Sequence, residues 1–95
     1  MNYGFDGRVA LVTGASGGIG RASALAFAAS GAKVMVSDVQ DDKGAETVAL
    51  IEQEGGSAAF FHCDVSDEGE VAALIAATVE RFGRLDFAHN NAGIN

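Results

Sequence analysis

The stretch Val9-Ala10-Leu11-Val12-Thr13-Gly14-Ala15-Ser16-Gly17-Gly18-Ile19-Gly20 decides how this chain is read. Four apolar residues run into a glycine-rich loop, and an alanine-rich segment of helical period opens at Ile19. A buried strand that breaks into such a loop and then a helix suits a diphosphate, because a helix N-terminus offers unpaired N–H groups and a positive dipole end. The glycines leave no Cβ atoms to hold a phosphate away. The next apolar run, Lys33-Val34-Met35-Val36-Ser37, ends at Asp38. A dinucleotide fold needs a carboxylate at that place for the adenosine ribose.

Outward from this core, apolar runs alternate with helical periods. Ile19, Ala22, Leu25, Ala26 and Ala29 share a helical face, and Gly31 predicts a left-handed C-cap. A second helix is predicted from Asp41 or Asp42, either of which can cap it, with Ala45, Val48 and Ile51 inward and Gly55-Gly56 at its end. Ala58 to Phe61 reads as a third strand running into His62-Cys63-Asp64-Val65. Ser66 is the predicted N-cap of a third helix, whose face is Val71, Leu74, Ile75, Thr78, Val79 and Phe82. Gly83 closes that helix, and Leu85 to His89 reads as the fourth strand. The pattern βαβαβαβ with short connections predicts an α/β, Rossmann-like three-layer αβα unit over residues 1–95. Its sheet is expected to be parallel, with right-handed crossovers.

Composition narrows the partners. The net charge of −7 argues against nonspecific nucleic-acid or anionic-membrane binding. No apolar run approaches the roughly 20 residues of a spanning helix, and Met1 to Phe5 carries no signal-type pattern. A soluble, cytoplasmic protein is expected. Cys63 is the single cysteine, so neither an internal disulfide nor a zinc-type site is expected, and a small buried strand residue is the expected role.

Three motifs then converge. Thr13 to Gly20 resembles the T-G-x-x-x-G-x-G fingerprint of the short-chain dehydrogenase/reductase family. Asp64-Val65 resembles the family's adenine-contacting pair, and Asn90-Asn91-Ala92-Gly93 its N-N-A-G motif. They fall in order after three successive strands and span almost the whole chain. The right-handed crossover rule, together with this resemblance, implies the strand order 3-2-1-4 for the parallel sheet. The resemblance implies a nicotinamide dinucleotide held by Gly14, Ala15, Ser16, Gly17, Gly18, Ile19, Gly20, Asp38, Asp64, Val65, Asn91, Ala92 and Gly93. Gly14 would make the tight turn, Gly18 admit the pyrophosphate and Gly20 let helix and strand pack closely. Ser16 can offer its hydroxyl and backbone to a phosphate. Asp38 would accept both ribose hydroxyls and repel a 2′-phosphate, and the neighbouring positions hold Gly17 and Val39 rather than a base. NAD is therefore expected over NADP. Asp64 has two readings of equal standing, adenine contact or organiser of the turn into Ser66. Thr13 is a candidate tie to the Asn91 region. For His62 and His89, which have no matching acid or nucleophile in the sequence pattern, structural roles are expected.

The family's chemistry is hydride transfer between the nicotinamide and a carbonyl or secondary alcohol. It uses a tyrosine, a lysine four residues later and a serine. Tyr3 is the single tyrosine here and has no lysine four residues on. The resemblance therefore implies an N-terminal cofactor-binding part, inactive alone, whose catalytic residues and small-molecule substrate pocket belong to a longer parent. That parent is expected to be a homo-oligomer and the fragment to self-associate. The alternative is a stand-alone, non-catalytic dinucleotide-binding module. A P-loop enzyme fits poorly, since no Gly-Lys-Ser/Thr follows the glycines, and a methyltransferase would leave Asn90 to Gly93 unexplained.

Overall fold

A computed structural model describes residues 4–91. β1 (Val9–Thr13), β2 (Lys33–Asp38), β3 (Ala58–His62) and β4 (Phe87–Asn90) alternate with α1 (Gly18–Ala29), α2 (Asp41–Gln53) and α3 (Glu68–Phe82). The sheet is wholly parallel in the order β3-β2-β1-β4. That is the order expected from right-handed crossovers and the family resemblance together. Ala92 and Gly93 lie outside the described residues.

Strand alternation divides the core. Val12, Val34, Val36 and Ala58 face Ala24 of α1 and Ile51 of α2, whereas Leu11 and Met35 face Leu74 of α3, with Cys63 buried beside them. All five residues of β1 are buried, as befits a central strand covered on both faces. Among the described residues, α3 leaves part of β4 uncovered on its side of the sheet. A groove of about 440 Å³ lies there between Leu11, Val71, Leu74, Ile75 and Ala88. Ile75 and Val79, expected to point inward, are each 43% exposed.

Local details differ from the sequence expectation where a neighbour outside the helix intervenes. Gln40, not an aspartate, occupies the N-cap of α2, and Asp41 begins the first turn. The buried face of α2 is Gly44, Thr47 and Ile51, while Ala45 is exposed. Gly44 sets that rotation: a Cβ there would collide with the Phe60 ring, so the helix backbone lies directly on β3. Asp67 rather than Ser66 caps α3, accepting from the Glu70 N–H at 3.1 Å. β4 begins at Phe87, two residues later than expected. Asp86 accepts from the Val9 N–H at 2.8 Å and from Arg84 Nε at 2.9 Å. It ties the start of β4 to the start of β1.

Candidate functional site

The C-terminal ends of the strands converge on one cleft of about 420 Å³, lined by Gly14, Ser16, Gly17, Asp38, Val39, Gln40, Cys63, Asp64, Val65 and Asn91. These ends come together because every strand is parallel. The strand order reverses at β1, so the crevice beside its C-terminus is the topological switch point of the sheet.

On one wall, the loop after β1 leads into α1. Gly14 turns with φ +63°, in the left-handed region that side chains rarely adopt. Gly20 permits a close approach: a Cβ there would collide with the Gly14 carbonyl oxygen and press within 3.0 Å of Asn91 Nδ2. Gly17 caps α1 in extended conformation with no side-chain hydrogen bond, and no acidic residue lies in the first turn. The result is an open, uncapped helix N-terminus facing the cleft. A Cβ at Gly17 or Gly18 would meet no atom within 4 Å.

Asp38 ends β2 at the same cleft. Its Oδ2 accepts from the Ser16 hydroxyl at 2.7 Å and the Ser16 N–H at 3.1 Å, and its Oδ1 from the N–H groups of Val39 at 2.7 Å and Gln40 at 3.1 Å. Partial burial pulls its pKa up, but these donors, the Ser16 hydroxyl first, outweigh that effect and hold it below the ordinary carboxylate value. The carboxylate is therefore anionic at neutral pH. Ser16, expected to face a phosphate, instead spends its hydroxyl on Asp38, the nearest charged acceptor.

Asp64, after β3, accepts from the Ser66 hydroxyl at 2.7 Å and the Ser66 N–H at 2.9 Å. The hydroxyl first, then the N–H, lowers its pKa. This geometry matches the turn-organising reading, and Asp64 still lines the cleft with Val65. At the end of β4, Asn90 Oδ1 accepts from the Thr13 hydroxyl at 2.7 Å. The expected tie between Thr13 and the asparagine pair thus lands on Asn90, while Asn91 borders the glycine loop.

Two features were not read from the sequence. His62 has an acid partner after all: its Nδ1 lies 2.6 Å from Asp41 Oδ1, and this bond is the main cause of its raised pKa. Thr47, wholly buried in α2, donates to the Ala15 carbonyl at 2.8 Å. Its only signal in sequence is a polar residue on the inward face of a helix.

A glycine loop opening into a bare helix N-terminus, with an anionic carboxylate one strand over and a switch-point crevice between, defines a Rossmann-type protein fitted to a dinucleotide. The donor set suits a diphosphate at the loop and a hydroxylated ribose at Asp38. A family profile described as short chain dehydrogenase matches residues 8–95, and the chain belongs to that family, whose members use nicotinamide dinucleotide cofactors. It is 51% identical over 90 residues to an uncharacterized oxidoreductase of Thermotoga maritima, covering 95% of this chain and 35% of that protein. Among solved structures, a short chain dehydrogenase from Mycobacterium avium superposes with TM-score 0.92 at 46% identity, over 99% of this chain and 35% of that one. A hydroxysteroid dehydrogenase from Escherichia coli gives TM-score 0.89 at 40% identity, over 90% of this chain and 37% of that one. The chain thus spans about a third of the length of the relatives it matches. Among the described residues, no helix is long and apolar enough to cross a membrane.

Proposed function

We propose that residues 1–95 form the cofactor-binding unit of an NAD-dependent short-chain oxidoreductase. In the complete protein, a hydride would pass between the nicotinamide and a carbonyl or secondary-alcohol carbon. The single observation that carries this reading is Asp38, an anionic carboxylate at the end of β2 facing the same cleft as the uncapped α1.

Each residue then has a task. The N–H groups that open α1 and the Gly14 to Gly20 loop hold the diphosphate. Asp38 accepts the hydroxyls of the adenosine ribose, which replace the Ser16 hydroxyl as its partner. Asp64 and Val65 border the adenine, and Asn91, beside the glycine loop, borders the ribose next to the nicotinamide. Thr13, through Asn90, holds β1 and β4 at the spacing that the crevice requires. Bound nicotinamide supplies the carbon that takes or gives the hydride. The part of β4 that α3 leaves uncovered favours a unit built to pack against further protein, rather than a stand-alone module.

NAD is favoured over NADP because the cleft lining contains two carboxylates and, among the described residues, no lysine or arginine. A 2′-phosphate beside Asp38 would meet like charge. Titration calorimetry on the full-length protein tests the reading. Asp38→Ala should weaken NAD by about 1–3 kcal/mol, the scale of hydrogen bonds to a charged group, and leave NADP less affected or improved. Equal losses for both cofactors would make Asp38 structural and remove the basis for NAD.

A further inference from the structure

Thr47 lies in the middle of α2, far in sequence from the glycine loop, yet it reaches that loop directly. Its hydroxyl donates to the Ala15 carbonyl at 2.8 Å and lies 3.2 Å from the Lys43 carbonyl one turn back. The same oxygen accepts from Arg21 Nε at 2.9 Å. Arg21 is itself fixed by Glu46 at 2.8 Å and by the Lys43 carbonyl at 3.1 Å. With its lone pair engaged by Arg21, the Thr47 hydroxyl must direct its hydrogen toward the carbonyls.

The peptide that carries the Ala15 carbonyl also carries the Ser16 N–H, and that N–H donates to Asp38 at 3.1 Å. A trans peptide is planar and points its C=O and N–H in opposite directions. Holding the oxygen therefore aims the N–H. The Ala15 N–H is pinned separately, to the Ser37 carbonyl at 3.1 Å. We propose that Thr47, oriented by Arg21, is a positioning residue for the dinucleotide site: by clamping the Ala15–Ser16 peptide it aligns the phosphate loop and Asp38 together. Without the hydroxyl, the Ala15 carbonyl loses its partner in a buried setting, where an unsatisfied carbonyl is costly. The peptide then rotates to find another donor and turns the Ser16 N–H away from Asp38.

This inference rests on the reading of the cleft as a dinucleotide site, and the test separates the two. Thr47→Val keeps the buried shape and removes only the hydroxyl. In the full-length protein, well below the variant's Tm, its calorimetric Kd for ADP should rise roughly 10-fold, while Thr47→Ser stays within about twofold of the parent. Arg21→Met, which frees the hydroxyl to swivel, should raise Kd roughly threefold. The Ser16 amide resonance should shift in Thr47→Val and return in Thr47→Ser. A purely structural Thr47 would lower Tm and leave Kd and that resonance alone. A folded Thr47→Val that binds ADP like the parent overturns the inference. If Thr47→Val does not fold, Arg21→Met decides, with a raised Kd supporting the proposal and an unchanged one overturning it. A parent that binds neither ADP nor NAD removes the dinucleotide reading and this inference together.

Discussion

The N-termini of α1 and α3 present the same backbone chemistry and opposite solutions to it. Each helix start leaves N–H groups without an intrahelical partner and concentrates the positive end of the dipole. In α3 the chain answers with its own side chains: Asp67 caps the Glu70 N–H, and Glu68 and Glu70 lie in the first turn. In α1 the cap is Gly17, with no side-chain bond and no acid in the first turn. An anion is thus supplied internally at one helix and left to a ligand at the other. The difference is a handful of residues, and it marks which of two helix starts at the same end of the parallel sheet is left open.

The largest effect that would break the comparison comes from Gly20, because α1 can offer its N-terminus only while its backbone lies against Gly14. Gly20→Ala should destabilise the protein by about 3 kcal/mol through overpacking against a backbone carbonyl, and abolish ADP binding. Denaturant unfolding and calorimetry would check both. A stable, binding-competent Gly20→Ala would mean that the close approach is not required.

Next in size is a transplant of the α3 solution onto α1. Gly17 has extended backbone and open space around its missing Cβ, so Gly17→Asp fits without strain. It should stabilise the protein by about 0.5 kcal/mol through capping and the dipole, while weakening ADP by roughly 10-fold or more through like charge at the phosphate site. Higher stability with unchanged ADP affinity would show that the anion site lies elsewhere.

The reciprocal change should be smaller. Asp67→Ala removes the α3 cap and should cost about 1 kcal/mol, with ADP affinity unaltered. A loss of ligand affinity there would erase the contrast between the two helix starts.

The smallest effect concerns α2, whose first turn carries Asp41 and Asp42. Asp41 hydrogen-bonds His62 and favours its protonated form, so the folded-state pKa of His62 lies above the ordinary 6.5. The linked stability is complete below that ordinary value and disappears as pH rises through the raised one. Both side chains are more than half exposed, so the contribution to stability is slight. An NMR titration should find His62 above its usual pKa, and Asp41→Asn should return it. An unshifted His62 would show that the pair does not persist in solution.

How far this was legible in sequence follows from the range of each interaction. The strands announced themselves as apolar runs, while their order needed the family resemblance as well as the right-handed crossover rule. The place of Asp38 was legible because it depends on one position at one strand end. The caps slipped by a residue because Ser66 and Asp67 are both competent. Only the turn around Asp64, which claims the Ser66 hydroxyl, decides between them. On α2, Ile51 and Val48 pack on the core as expected and Ala45 does not, because the missing side chain of Gly44 beneath the Phe60 ring turns the helix, and hydrophobic periodicity cannot register an absence. Thr47 and Arg21 were invisible for a different reason. Thr47 reaches the Ala15 carbonyl, which carries no residue identity to read, and Arg21 matters only through its bond to Thr47 across 26 residues.

The bonds that fix β4 carry a kinetic consequence. Val9 with Asp86 and Thr13 with Asn90 each join residues 77 apart, more than three times the separation of β1–β2 partners such as Val9 and Lys33. Closure entropy rises by about 0.6 kcal/mol for each doubling of loop length, so pairing β4 with β1 directly from the open chain costs about 1 kcal/mol more than pairing β1 with β2. The β1–β2–β3 ribbon is expected to assemble first, bringing the glycine loop and Asp38 together, and β4 to follow. The switch-point crevice would then be the last part of the site to exist during folding, and the Thr13–Asn90 bond its closing clasp.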